Sequence, residues 1–353
     1  QELDIQLIEQ LAKQFPLPKE INQFIETYQP SGNLKDLDAN WHADASNLPF
    51  NIQLPGFQAS HYKLSFAFKE AALRPEKKGL LSFTNLSGKL FATELGGELQ
   101  IDTENTTFVL PQVLEDDFLS LQEAQGTIKW LKKDKYTEYQ MSNMRLKHEA
   151  AKLKFDATYQ TKSEKSPEAL YIKGQIEEAS VKNITRFFPK EMSKEARSYL
   201  NGSLKDGLIR NGFVHINGNP HHIPFSTKHP GIFELQLPIY QVQYSPAPNI
   251  DKSKGQWSDF TNVTGNVSFS GPKLMLALKS ADFESVQLSN IDGLVDDVTS
   301  RQSVLKINGT AKGSTVDLIQ YYTKSPSGQH AENLTKKIQI SGNAPLKINI
   351  EMP

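Results

Sequence analysis

The 353-residue sequence contains no cysteine, and this absence excludes several kinds of chemistry. Without thiols the chain has no disulfide, no thiolate metal centre and no thiol nucleophile. Long apolar runs are also missing, because the longest, as at 274–278, have the length of a strand and not the ~20 residues of a membrane-spanning helix. The net charge of −1 gives no basic field, so nucleic acid is not expected as a partner.

Motifs for catalysis or metal binding are absent as well. The sequence has no Gly-x-Ser-x-Gly elbow, phosphate-binding loop, dinucleotide fingerprint, His-Glu-x-x-His or Asp-rich calcium loop. His221 and His222 are adjacent, and neighbours on a strand point to opposite faces, so we do not expect them to bind one metal together. The carboxylate pairs at 116–117 and 296–297 lie in polar, turn-like contexts. We therefore predict a chain that is not an enzyme and has no metal or cofactor.

What the sequence does contain is alternation. In many runs of strand length, apolar residues alternate with Lys, Glu, Gln or Ser. Each run therefore has one apolar and one polar face, which predicts an antiparallel sheet with a single apolar side. The alternating runs are Tyr62/Leu64/Phe66/Phe68, Leu99/Ile101, Ile128/Trp130, Leu153/Phe155, Leu170/Ile172, Phe233/Leu235/Leu237, Tyr240/Val242/Tyr244, Val267/Phe269, Leu274/Leu276/Leu278, Leu305/Ile307 and Leu346/Ile348/Ile350.

Turns and helices separate these runs. Turns are predicted at 85–88, 96–97, 217–220 and 271–272. Helical spacing is found from Leu3 to Phe15 and again at 316–322. Asn-x-Ser/Thr triplets, which begin at Asn85, Asn105, Asn183, Asn201, Asn262, Asn266, Asn308 and Asn333, are attributed to composition and not to glycosylation.

Part of the sequence occurs twice. Pro-Lys-Glu at 18–20 precedes a short helical stretch and then Gly32-Asn-Leu-Lys-Asp, and Pro-Lys-Glu at 189–191 precedes another and then Gly202-Ser-Leu-Lys-Asp. The repeating unit is much longer than a solenoid turn, so it is predicted to be a helical segment followed by many strands. We expect modules at 1–161, 162–315 and 316–353, the last one truncated, in one continuous sheet. The two Gly-x-Leu-Lys-Asp passages are expected to superpose.

Several phrases resemble the AsmA-like superfamily of Gram-negative envelope proteins, and specifically its YhdP branch. Phe83-Thr84-Asn85-Leu86-Ser87-Gly88 is similar to the recurrent F-x-N-L-S-G phrase of that family, and the phrases at 97–102, 108–111 and 126–130 follow in the expected order. The tract from Arg186 through Ile223-Pro224-Phe225 to Tyr244 resembles the family most, and 313–326 resembles the opening of a next unit.

This resemblance implies a fold and a function. The fold is mainly β: an elongated, curved antiparallel sheet forming a trough or groove, built from repeated modules with short helices at their starts. The chain would be an internal fragment, a periplasmic segment of a protein anchored in the inner membrane by parts outside it. Its partners would be phospholipid acyl chains, carried passively between inner and outer membranes, and possible envelope protein partners are left unidentified.

The candidate groove lining is taken from the alternating runs: Leu64, Phe66, Phe68, Leu153, Phe155, Leu235, Leu237, Val267, Phe269, Leu274, Leu276 and Leu278. Alternation is equally what a closed sandwich would produce, with these side chains as its core. A structural or interaction scaffold of the cell envelope without lipid conduction is therefore the alternative. An adhesive or carbohydrate-binding array is disfavoured because Trp and Tyr platforms are not clustered. An open apolar groove favours the first reading, and a filled sandwich favours the second.

Overall fold

The computed structural model describes residues 2–5, 19–42, 61–111, 113–164, 166–190, 192–249, 257–324 and 342–352. The chain divides into two compact units, unit 1 (Gln1–Ile172) and unit 2 (Lys173–Pro353). The order of the strands in the sheet follows their order in the chain, and consecutive strands within each unit pair antiparallel. The prediction of a mainly β chain with an antiparallel sheet and short helices is confirmed. The division into modules at 1–161, 162–315 and 316–353 stays a prediction.

Sixteen strands are found among the described residues, and they include all the predicted alternating runs. They are β1 (Glu2–Asp4), β2 (Ser31–His42), β3 (His61–Leu73), β4 (Ser82–Thr93), β5 (Gly96–Val109), β6 (Phe118–Lys132), β7 (Thr137–His148), β8 (Ala151–Gln160), β9 (Ala169–Ser180), β10 (Leu204–Gly218), β11 (Ile232–Tyr244), β12 (Phe260–Ser270), β13 (Lys273–Phe283), β14 (Val286–Val295), β15 (Leu305–Ser314) and β16 (Asn343–Met352).

Short helices connect some of the strands: α1 (Lys19–Tyr28), α2 (Lys194–Ser203), α3 (Thr315–Lys324) and the 3₁₀ helices Val181–Phe187 and Pro220–His222. The Ser193 side chain caps α2 by accepting from the Ala196 N–H, which satisfies one of the free donors of its first turn. The helix predicted at 316–322 is confirmed by α3. The helix predicted from Leu3 to Phe15 is wrong at its start, because Leu3 lies in β1. Most of the other residues of this predicted helix are outside the described ranges.

Nine of these strands are each interrupted by one non-glycine residue in the left-handed backbone region. These residues are Asp36, Glu70, Asn85, Asn105, Asn143, Asn211, Gln241, Asn262 and Asn290, with φ between 50° and 57°. Shifts of register accompany most of them, as between Phe68 and Ala71 or between Met141 and Met144, which marks them as β-bulges. Asn tolerates this conformation better than most residues because its short side chain bonds locally. The turn predicted at 85–88 is therefore wrong: it is a bulge inside β4.

The bulges keep the apolar side chains on one face although the sequence loses its period of two. Phe68 and Ala71 are three residues apart, yet they lie opposite Gly88 and Leu86, which are two apart. Ile239 and Val242 step in the same way against Gly265 and Val263. A bulge also bends its strand and increases its twist, so a line of bulges across neighbouring strands curves the sheet of each unit.

At three of the bulges, the extra residue has no ladder partner and its N–H donates to a side chain of the next strand instead. The Glu70 N–H donates to Ser87 Oγ at 3.1 Å, and the Gln241 N–H donates to Thr264 Oγ1 at 3.1 Å. The Asn143 N–H donates to Asp156 Oδ1 at 2.7 Å. The free donors are thus satisfied by short polar residues, which removes the cost of leaving them unpaired.

Within their units, helices α1, α2 and α3 lie at the same side of the sheet along the strand direction, whereas the 3₁₀ helix Pro220–His222 follows the end of β10 and lies at the other side. Helix α1 leads into the start of β2 and α2 into the start of β10, while α3 follows the end of β15. Because the strands are antiparallel, the starts of even-numbered strands and the ends of odd-numbered ones meet at the same edge within each unit. We call this row of strand ends the helix edge. The opposite row of strand ends, which includes the turn Gly271–Pro272, is the turn edge, and neither name refers to an edge strand. The bulges lie closer to the helix edge in β3, β4, β11 and β12.

The two helical repeats are equivalent in structure, but not in the register that their sequences suggest. Gly202 lies inside α2, whereas Gly32 lies in β2. The structural counterpart of Gly32, with φ +124°, is Gly207, with φ +120°. A Cβ at Gly32 would approach Ala71 Cα to 2.7 Å, and one at Gly207 would approach Val242 Cα to 2.6 Å. The helix-plus-turn segments ending at Gly32 and Gly202 are expected to superpose, but Gly207 and not Gly202 takes the place of Gly32.

Candidate functional site

The side chains of one sheet face form continuous apolar rows, and we call this the inner face of each unit. In unit 1, directly opposed residues give the row Phe66, Leu90, Leu99, Ile128, Met141 and Ala157. Phe68, Gly88, Ile101 and Gly126 form the next row towards the helix edge. Opposed residues share a face in a pleated sheet, so the rows are continuous strips of side chains.

Unit 2 has corresponding rows on its own inner face. Leu237, Val267, Leu276, Gly293 and Ile307 form one row. Val214, Leu235, Phe269, Leu274, Val295 and Leu305 form its neighbour towards the turn edge. The Phe233 and Phe269 rings, 6.0 Å apart, extend the apolar surface at this edge.

The structure brings the predicted lining residues together within each unit. In unit 1, Leu64, Phe66 and Phe68 share the inner face with Leu153 and Phe155, because Phe155 is opposite Met144 and Leu153 is opposite Leu146. In unit 2, all seven predicted residues are opposed to or alternate with one another. They are Leu235, Leu237, Val267, Phe269, Leu274, Leu276 and Leu278. Their role as a lining stays a prediction.

Burial separates two kinds of residue on the inner face. Phe68 is 9% exposed and belongs to a buried cluster with Leu34, Leu86, Ile101 and Leu121. The other eleven predicted residues are half-buried: Leu64, Phe66, Leu153, Phe155, Leu235, Leu237, Val267, Phe269, Leu274, Leu276 and Leu278. Side chains that contact their neighbours but keep part of their surface open form a surface, whereas the core of a closed sandwich buries its side chains.

Glycines on the inner face receive large side chains from the adjacent strand. A Cβ at Gly88 would lie 3.0 Å from the Phe68 ring, and one at Gly293 would lie 2.7 Å from Leu276 Cδ1. At Gly97 it would lie 2.4 Å from Trp130 Cζ2. The side chains therefore lie down across the neighbouring strand and do not stand away from the sheet, which keeps the inner face shallow.

An aromatic cluster closes the helix edge of unit 2. Tyr321 of α3 lies 4.4 Å from the Phe283 ring and 5.7 Å from the Phe260 ring, and its 5.0 Å contact with Trp257 extends the cluster. Burial raises the pKa of Tyr321. Tyr244 stacks on Phe260 at 6.5 Å, and its hydroxyl is hydrogen-bonded to that of Tyr199 in α2. Helix α3 thus packs on the sheet through ring contacts, and α2 is joined to it by the hydrogen bond between Tyr199 and Tyr244.

Trp130, Tyr139 and Tyr159 form an aromatic row near the turn edge of unit 1. Trp130 is opposite Gly97 and Tyr139, and Tyr139 is opposite Tyr159 with 6.3 Å between ring centroids. The Tyr159 hydroxyl donates to Glu168 Oε1 at 2.6 Å, and this bond raises the pKa of Tyr159 to about 12. Of this row, only Trp130 belongs to a predicted alternating run, Ile128/Trp130, and only the register brings it beside Tyr139 and Tyr159.

The face opposite the inner face, which we call the outer face, carries ion pairs between neighbouring strands. Lys129 lies 3.0 Å from Glu98, and Arg210 lies 3.1 Å from Glu178. The bonds from Gln100 and Lys129 lower the pKa of Glu98. These exposed pairs contribute little stability, but they place charge on the face opposite the apolar rows.

His221 and His222, which we predicted not to bind one metal together, do not lie on a strand as expected. His221 and His222 belong to the 3₁₀ helix between β10 and β11, and the His222 ring stacks on His229 at 4.0 Å. Across the ranges that the structure describes, no group of three or more His, Asp or Glu side chains converges as metal ligands. The loop is anchored by Phe225, which is 4% exposed and packs on Gly218 and Gly231.

Comparison with known proteins identifies the family of this chain. Searches among curated proteins and among solved structures found no match. None of the helices in the described part of the chain has the length and apolarity needed to cross a membrane. The model of one protein family, described as YhdP protein, matches residues 1–353. The chain therefore belongs to the YhdP protein family.

Proposed function

We propose that this chain is a segment of a bridge-like protein that carries phospholipids passively, with their acyl chains on the inner faces of both units. The YhdP family is a lipid transport family of the Gram-negative envelope, which supports the general class. Inner and outer membranes are the proposed donor and acceptor, and the periplasm is the proposed location. The proposal includes no enzymatic step.

The observation that carries this proposal is the half-burial of the inner-face rows. Leu276 lies over Gly293 and opposite Val267, in the middle of an apolar strip five strands wide, and it still keeps part of its surface open. A surface of this kind is large enough to bind apolar ligands, and monomeric proteins rarely leave such patches without a partner. The outer face bears ion pairs, so the two faces differ in chemistry.

The energetics of lipid transfer fit such a surface. Each methylene exposed to water costs about 0.8 kcal/mol, so a phospholipid with two chains of ~16 carbons faces a barrier on the order of 25 kcal/mol in free solution. Contact with an apolar strip removes much of that barrier while the headgroup remains in water. No motif for nucleotide hydrolysis is present in the sequence, so the proposed movement along the strip is passive.

The test compares two variants of one strand: one has aspartate at an inner-face position and the other has aspartate at an outer-face position. Leu276→Asp puts a carboxylate in the strip, whereas Lys279→Asp puts it on the outer face of the same strand, β13. We expect Leu276→Asp to leave the chain folded, because water is close enough to solvate the carboxylate, and to reduce the lipid that co-purifies. Lys279→Asp should leave both properties unchanged. Circular dichroism and lipid extraction followed by mass spectrometry measure them.

Crosslinking distinguishes the groove from the scaffold. A photoreactive residue at position 276 should capture phospholipid, and one at position 279 should not. Unfolding of Leu276→Asp, without lipid capture at either position, would identify the strip as the core of a closed envelope scaffold. Equal capture at both positions would also contradict the proposal, because it would reflect nonspecific adsorption.

A further inference from the structure

The inner face of unit 1 changes in polarity from its middle to its turn edge. Its central row contains Leu99 and Ile128, which are apolar, and the next row contains Trp130 and Tyr139, which are apolar rings with a polar tip. Beyond them Lys132, exposed and opposite Thr137, ends the strand. Apolar, amphipathic and cationic positions therefore follow one another along β6 at every second residue.

This gradient matches the gradient within a phospholipid. Acyl chains are apolar, the glycerol ester region is weakly polar, and the phosphate is charged. Trp and Tyr favour such boundaries because one end of the ring is apolar and the other forms hydrogen bonds. We propose that the aromatic row Trp130–Tyr139–Tyr159 seats the glycerol ester region of a bound phospholipid, with the acyl chains towards Ile128 and the headgroup beyond the turn edge. This inference rests on the proposed function.

Local contacts hold the aromatic row in place. Trp130 lies flat on the sheet because position 97 is glycine: a Cβ there would lie 2.4 Å from Trp130 Cζ2 and 2.6 Å from Cη2. Tyr159 is fixed by its 2.6 Å bond to Glu168, so its ring stays beside that of Tyr139. The row is thus oriented before a ligand binds, which lowers the entropic cost of binding.

Charged side chains lie near the turn edge, where the headgroup of the bound phospholipid is proposed to be. Lys132, Lys133 and Lys135 are exposed there, together with the Asp134 carboxylate in the same turn and Glu168 beside Tyr159. The cations outnumber the anions in the β6–β7 turn, so the turn complements a phosphate group. Glu168 is directed to the Tyr159 hydroxyl, which places its charge on the aromatic row and not in the turn.

Depth-dependent fluorescence quenching tests the assignment. The sequence has three tryptophans, and Trp41→Phe with Trp257→Phe leaves Trp130 as the only one. Bromine quenches tryptophan only at close range, so the chain is loaded from vesicles of phosphatidylcholine brominated either near the carboxyl end or near the methyl end of its chains. Trp130 should lose more fluorescence with the lipid brominated near the carboxyl end. The comparison variant adds Trp130→Phe and Ile128→Trp, and it should lose less with that lipid and more with the other one.

The outcomes separate this inference from the proposed function. If Ile128→Trp is quenched and Trp130 responds equally to both lipids, or more to bromine near the methyl end, the lipid lies on the strip but the aromatic row does not seat its ester region. If neither position is quenched by either lipid, both the inference and the proposed function fail. A Lys129→Trp variant that also carries Trp130→Phe places its only tryptophan on the outer face of the same strand and should be unquenched, and quenching there as strong as at Trp130 would likewise overturn the assignment.

Discussion

The two units share one framework but differ in the chemistry of matching rows. Leu64 in unit 1 and Leu235 in unit 2 both precede a bulge residue, Glu70 or Gln241, by the same number of positions. From Leu64 the row continues through Ala92, Gly97, Trp130, Tyr139 and Tyr159, and from Leu235 through Phe269, Leu274, Val295, Leu305 and Met352. Polar-tipped rings in unit 1 thus correspond to aliphatic side chains in unit 2.

The difference shows that framework and surface chemistry are set separately. Bulges, their hydrogen bonds and the glycines that accept large neighbours recur in both units and fix which face is apolar. The side chains at the turn edge are free to vary around this framework. Tyrosine occurs instead at the helix edge of unit 2, where Tyr244 stacks on Phe260 and Tyr321 of α3 packs on Phe283. In unit 1 the same edge is packed by Leu34, Leu86 and Ile101.

The largest expected effect compares a buried residue of unit 1 with a half-buried residue of unit 2. Phe68→Ala removes a ring from the buried cluster and should reduce the free energy of unfolding by about 3–5 kcal/mol. Leu276→Ala should cost roughly 1–2 kcal/mol, because part of the side chain is already in water. Hydrogen exchange of amides in β3 and β13 measures each unit by itself. Equal losses would place Leu276 in a closed core.

A smaller effect tests the structural equivalence of the two repeats. Gly32→Ala and Gly207→Ala should each destabilise their unit by roughly 2–3 kcal/mol, because both force a residue with a Cβ into a left-handed region against a backbone atom. Gly79→Ala is the control: its φ is +89°, but no atom lies within 4 Å, so only backbone strain remains. Urea unfolding of each variant gives the comparison. A large loss at Gly32 with none at Gly207 would contradict the equivalence.

The smallest effect concerns the tyrosines. Glu168→Gln removes the carboxylate that raises the pKa of Tyr159 to about 12, so this phenol should titrate closer to 10. The folded state favours the neutral phenol, so the stabilisation from the Tyr159–Glu168 bond is present below pH ~10 and is lost as the pH rises towards about 12. Ultraviolet absorbance of tyrosinate measures the shift. Tyr244 and Tyr321, whose pKa is raised by burial, should not respond, and a shift at either would show that Glu168 acts beyond its hydrogen bond.

Much of the fold could be predicted from alternation, because each run has one apolar and one polar side. The predicted runs all lie in strands, including Leu153/Phe155 in β8 and Leu346/Ile348/Ile350 in β16. The runs Phe233/Leu235/Leu237 and Tyr240/Val242/Tyr244 are parts of one strand, β11. Tyr240 is 40% exposed while Val242 is 4% exposed, since the bulge at Gln241 separates their faces. Strict alternation could not predict that.

The candidate site was predicted as a set of residues, but not as a surface. Leu276 and Phe66 could be assigned to an apolar face from their own strands. Which residue of the next strand lies beside each depends on register, and bulges shift register by one residue at a time. The aromatic row was missed for this reason: Trp130, Tyr139 and Tyr159 are on three strands, and the sequence shows no cluster of aromatic residues.

The sequence by itself determined the class of the fold, the absence of thiol chemistry and the strands that have an apolar side. These properties depend on composition and on side chains within one strand. Only the tertiary structure decided that Gly207 and not Gly202 matches Gly32, that 85–88 is a bulge, and that Phe68 is buried while Leu276 is half-buried. The physical reason is that register and curvature arise from hydrogen bonds and packing between strands distant in the sequence.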